Sequence, residues 1–253
     1  MARPQNNFMK NKNIKLIILI VVLVGIGFFA YKKAVAPKND VAVIPTDNKV
    51  SLCYYDSVGT FPYVDKFWLR LNLDQKNKEI VSGEFNSIPA QKDSKVGTFS
   101  GTVGPLDQKI MARTADVWWD SLAEGMNVKE ELIINFGDGS ASTMGGEMVD
   151  RGDGVYVYKD KTKLSPSTTL GQVDCFNYEE MKIVEKYVRD NIKTIATDKA
   201  VLGGSWYLLG ANVIPATKSG SAVYEDGHIQ SKATFTYTID NQIVKITSWK
   251  VGK

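Results

Sequence analysis

Between Val50 and Asp174 the chain alternates apolar and polar residues in short runs, and Gly, Asp and Asn interrupt it about every 10–15 residues. Successive side chains on a strand point to opposite faces, so each run has one face to bury. Phe67, Leu69, Leu71 and Leu73 oppose Trp68, Arg70 and Asn72. Met111, Ala115, Val117 and Trp119 oppose Ala112, Thr114, Asp116 and Trp118. Further runs lie in EIVSGEFNSI, GTFSGTVG, ELIINF, SASTMGGEMVD and GVYVYKD, with Gly137-Asp138-Gly139 and Asp150 to Gly154 as turns. No helical period intervenes, which argues against a parallel sheet with crossovers. The pattern predicts an antiparallel meander closing into a barrel or sandwich-like domain over residues 51–176.

After Cys175 the period changes. Asn177 followed by Glu180 resembles a capping box. Met181, Val184, Tyr187, Val188, Ile192 and Ile195 then recur at helical spacing. Gly203-Gly204 ends that segment, and four strand-like runs follow, with turns expected at Asp226-Gly227 and Asp240-Asn241. Residues 177–253 therefore read as a helix packed on an antiparallel sheet. The fold class is mainly β with an α+β part.

Ahead of these, Leu16 to Tyr31 is unbroken apolar sequence, fenced by Lys10, Lys12 and Lys15 before it and Lys32 and Lys33 after it. With snorkelling lysines, residues 14–36 suffice for a transmembrane helix anchoring the chain in a lipid bilayer. Residues 1–13 become a cytoplasmic tail and 37–50 a linker, with the bulk of the chain extracytoplasmic by the positive-inside rule. The competing reading is a cleaved signal peptide ending at Ala34-Val35-Ala36. Pro37 and the lysine pair make that cut unfavourable. Lipid attachment at Cys53 is rejected because the residue lies far beyond the apolar run. In an oxidising compartment Cys53 and Cys175 are expected to form a disulfide.

Six of the 31 basic residues precede Pro37, where no acidic residue occurs, leaving 25 against 28 Asp and Glu in the remainder. The signs are interspersed and no basic stripe exists, which argues against nucleic-acid binding.

Several segments resemble a bacterial family of secreted or lipid-anchored proteins: Cys53-Tyr54, Val81 to Phe85, Lys92 to Thr98, Glu124-Gly125-Met126 and Glu130-Glu131. Leu202-Gly203-Gly204 and Tyr224 to Ile229 resemble a module appended to its members. The resemblance spans most of residues 53–250. It implies an exported β-rich body and no assigned activity.

Chemistry-bearing candidates are few. His228, the single histidine, sits beside Glu225 and Asp226 and offers an acid or base at a tight turn. Glu124, Glu130, Glu131 and Glu147 offer paired carboxylates for glycoside chemistry or calcium. Arg151-Gly152-Asp153 spells an adhesion tripeptide. No nucleophile elbow, phosphate loop, metal-ligand spacing or EF-hand appears, so no catalytic residue, metal or cofactor is assigned. Trp118 and Trp119 face opposite ways on a strand, so one can be core while the other meets a ligand, a cavity or a partner. The resulting expectation is a non-enzymatic, membrane-tethered envelope protein that binds a protein, a glycan or a small ligand. Its candidate contacts are Trp118, Trp119, Glu124, Glu225, Asp226 and His228. The alternatives are an envelope hydrolase using Glu124 and a second carboxylate, or an inhibitor of an envelope-degrading enzyme.

Overall fold

The computed structural model describes residues 49–90 and 92–252. The expected tail, the anchor over 14–36 and the linker as far as 48 lie outside the described residues. Among the described residues, no helix is long and apolar enough to cross a membrane.

Strands β1 (Lys49–Thr60), β2 (Tyr63–Asp74), β3 (Ile80–Ile88), β4 (Lys95–Val103), β5 (Ala112–Ala123), β6 (Met126–Gly137) and β7 (Ser140–Gly145) follow one another up and down. Strand β10 (Ser165–Val173) returns between β7 and β1, and β5 pairs with β6 to close the ring. The result is an antiparallel barrel of eight strands, which has no free edge. A small hairpin, β8 (Met148–Asp150) and β9 (Val155–Tyr158), attaches outside it. Strand β9 runs parallel to β6 at Lys129 and Glu130, a short exception to the expected antiparallel order.

The alternation explains the filling. Leu69, Leu71, Val81, Phe85, Phe99, Val103, Val117, Trp119, Ile134, Phe136 and Leu170 all turn inward and form one buried cluster. Small residues make room for the large ones. A Cβ at Gly83 would lie 1.9 Å from the Arg70 carbonyl oxygen and 2.5 Å from the Phe99 ring.

The opposite phase of β1 and β2 does not face water. It meets helix α1 (Cys175–Ile195). Cys53, Trp68 and Tyr178 form a second buried cluster there, with the Trp68 and Tyr178 rings edge to face at 5.2 Å. The expected disulfide joins Cys53 to Cys175 with a Cα–Cα distance of 5.3 Å. The helix begins earlier than Asn177. Asp174 is its cap, accepting from the Phe176 and Asn177 amides at 3.0 and 3.1 Å. An Asp directly ahead of the helix satisfies two orphan amides, which the Asn177–Glu180 pair cannot do from inside.

The other side of α1 packs on a four-stranded antiparallel sheet: β11 (Tyr207–Ile214), β12 (Ser219–Glu225), β13 (Gln230–Asp240) and β14 (Ile243–Val251). Val184, Val188 and Ile192 meet Trp206, Tyr224, Phe235 and Tyr237 in a third buried cluster. The last turn falls on Asn241-Gln242, both at positive φ, one residue later than expected. Lys66 ties the three layers together. Its Nζ lies 2.6 Å from Glu185 Oε1 on α1 and 2.7 Å from the Ala211 carbonyl oxygen on β11. Consistent with these ties, the described residues belong to one compact unit.

Candidate functional site

Chain entry at Lys49 lies at one end of the barrel, paired with Asp74. The other end is a mouth holding a cavity of about 380 Å³. Its floor is set by strand register. Trp119 faces Phe99 on β4 and Glu130 on β6. Lys95 shares the inward phase of Phe99 and Val103, and Glu130 shares that of Leu132 and Ile134. Ammonium and carboxylate therefore both enter the barrel, straddle β5 and meet at 2.6 Å. The ammonium stands 4.7 Å from the centre of the Trp119 ring, within cation–π range. Phe85 packs beside that ring at 5.0 Å. Trp119 is 3% exposed, and among the described residues its buried indole N–H has no acceptor.

The wall above the floor is interrupted. Strand β7 pairs with β6 only from Ile134 to Gly137, and β9 takes up β6 at Lys129 and Glu130. The rim between them is Met144, Gly145, Gly146 and Tyr158, with Ser87, Thr143 and Thr168 supplying hydroxyls. The Tyr158 hydroxyl donates to the Met144 carbonyl at 2.6 Å, and burial pushes its pKa up, so it stays protonated. Its backbone N–H donates to Glu131 at 2.9 Å. Lys161 spans Asp116 and Glu131 at 3.0 Å each and fixes the outer side of this rim.

The two tryptophans part as strand geometry requires. Trp119 is the cavity floor. Trp118 lies half-buried on the outer face, with the Arg151 guanidinium 5.8 Å from its ring. Glu124 is not among the residues that line the mouth cavity. With φ of 51°, followed by Gly125 at 76°, it occupies a two-residue hairpin turn and is exposed. Glu225 is bound by the Tyr207 hydroxyl. Asp226 is buried and accepts from the amides of Val201, His228 and Ile229 at 2.6, 2.9 and 2.9 Å. Those backbone donors, Ile229 foremost, hold its carboxyl below the usual range. His228 is exposed at the turn. Asp226 thus organises the β12–β13 connection, and none of the three residues lines the mouth cavity.

The other candidate carboxylates are each committed to a cation. Glu130 pairs with Lys95, Glu131 with Lys161, and Glu147 with Lys159 at 2.8 Å. Among the described residues, no group of three or more His, Cys, Asp or Glu is placed to hold a metal ion. Arg151 and Asp153 of the adhesion-like tripeptide pair with each other at the β8–β9 tip.

Sequence reading reaches Trp119 and misses Lys95 as its partner. The signal is a charged residue standing in the apolar phase of a strand end. Lys95 and Glu130 both carry it. What the mouth offers chemically is the Lys95–Glu130 ion pair, Ser and Thr hydroxyls and aromatic surface. Such a mixed lining fixes the orientation of a small molecule. Comparison with protein-family models, curated proteins and solved structures finds no match to this chain.

Proposed function

We propose that this chain is a non-enzymatic binding protein of the cell envelope, tethered through residues 14–36, with the barrel mouth as its ligand site. The observation that carries the reading is the cavity over Trp119. Lys95, Glu130, Ser87 and the Phe85 and Trp119 rings line one cavity, and a few polar groups in an aromatic surround orient a small ligand. Eight-stranded barrels are wide enough to hold one small ligand at the mouth. The Cys53–Cys175 bridge supports an oxidising compartment, because such bonds persist outside the cytosol.

Two measurements test this. Protease added to intact cells should digest the bulk of the chain, while the cytosol should contain none of it. Native mass spectrometry of the full-length chain from envelope membranes should show a small-molecule adduct that Ser87→Phe, which fills the mouth, abolishes. Recovery of the chain from cytosol with reduced thiols would refute the location. An adduct indifferent to Ser87→Phe would refute the site.

A further inference from the structure

We infer that the mouth takes a zwitterionic ligand of amino-acid size, binding as a carboxylate on Lys95 and an ammonium on Glu130. This rests on the reading of the mouth as a ligand site and names the chemistry of its occupant. The two charges meet inside the cavity at 2.6 Å and saturate each other there. A purely anionic ligand would meet Glu130 and a purely cationic one Lys95, so each faces a like charge in a partly desolvated place. A ligand carrying both charges inserts between them and replaces one ion pair by two.

Lys95 sets the end that takes the carboxylate, with its ammonium 4.7 Å from the centre of the Trp119 ring. A carboxylate has lone pairs for the ammonium and for a neighbouring hydroxyl of the lining together. The apolar remainder of the ligand then lies against Phe67 and Phe85. At about 380 Å³ the cavity falls at the lower end of small-ligand sites, which run from about 300 to 1,000 Å³.

Isothermal titration calorimetry on the full-length chain in detergent micelles tests the assignment. The probes are leucine, leucine methyl ester, N-acetyl-leucine and methyl glucoside. Leucine should bind, and each blocked analogue should bind at least about tenfold more weakly, since each leaves one charge of the site unanswered. Lys95→Met and Glu130→Gln should each cost leucine about tenfold or more. Lys95→Arg keeps the charge and should keep binding, which separates loss of the site from loss of the fold. Near-ultraviolet circular dichroism confirms that each variant is folded. A blocked analogue or methyl glucoside matching leucine, with binding lost in Ser87→Phe, overturns the zwitterion and leaves the mouth as the site. The zwitterion is likewise overturned, and the mouth kept, if leucine gives no heat while an envelope molecule is retained by the wild type and not by Ser87→Phe. Leucine binding that survives Ser87→Phe overturns both.

Discussion

Replacing Lys66 by Met tests whether the barrel, the helix and the second sheet form one cooperative body. Lys66 and Glu185 are each 8% exposed, and they are joined at 2.6 Å. Burial already pushes the Glu185 carboxyl above the ordinary range against the pull of Lys66. Methionine removes the ammonium and strands a buried carboxylate, which costs about 3–5 kcal/mol. The Ala211 carbonyl also loses its donor, at about 1 kcal/mol. The sign with pH follows from the raised carboxyl. A group that binds its proton more tightly when folded imposes its penalty above the folded pKa, and sheds it as pH falls through that value. The cost of Lys66→Met should therefore be largest near pH 7.5 and smaller near pH 5. Removing both charges in Lys66→Met/Glu185→Leu should return stability to within about 1–2 kcal/mol of the wild type, since apolar replacements of buried pairs are often neutral or better. Urea unfolding of the full-length chain in micelles, followed by tryptophan fluorescence, reads all three. A single-variant cost under about 1 kcal/mol, or a double variant no better than the single, would refute the buried joint.

Other parts of the molecule carry three further expectations. Cys53→Ala/Cys175→Ala should lower stability by roughly 4–5 kcal/mol at most, the chain-entropy value for so long a loop, and equal unfolding midpoints would refute a structural role. Burial pushes Glu84 up, but the Lys182 ammonium, the Tyr178 hydroxyl and Arg70 outweigh it and hold the carboxyl below its usual range. Its stabilisation is then present above the unfolded pKa of about 4.3 and lost as pH falls through the lower folded value, so the destabilisation by Glu84→Gln should fade under acid unfolding. Glu124→Asn should stabilise by about 0.5–1 kcal/mol in thermal melts, because Asn-Gly suits a turn with both residues at positive φ, and ligand binding should be unchanged. Loss of binding there would restore Glu124 to the site.

The barrel was legible because its strands obey one rule. Phe67 to Leu73 and Ala115 to Trp119 alternate cleanly, and every inward residue in these runs packs against or within the core. The helix was legible for the same reason, at a different period. Its start was not, because Asp174 caps from outside the periodic segment while Asn177 imitates a cap within it. The placement of α1 was also hidden. Trp68, Lys66 and Arg70 occupy the phase that an isolated barrel would give to water. Only a covered wall explains a Trp 2% exposed and a Lys 8% exposed there. Alternation gives the two faces of a strand and leaves open what lies against the second. Glu124-Gly125 is a simpler case, since positive φ at both residues places the motif at a tight turn that its residue types alone left open.

The ion pairs of the outer wall and the ion pair of the mouth answer different needs. Lys66–Glu185, Arg70–Glu179 and Lys182–Glu84 each link the barrel to the helix, so each joins segments distant in sequence. Lys95–Glu130 joins two strands that β5 already holds in register along their whole contact. Barrel closure gains nothing in topology from it. Nor does stability require it, because a filled apolar layer above Phe85 and Trp119 would serve the core at least as well. On the proposed reading, a cation and an anion placed in the inward phase, below a gap in the wall, are groups held ready for a ligand that enters from outside. The barrel supplies the rigid floor, and β9 with Tyr158 supplies the rim.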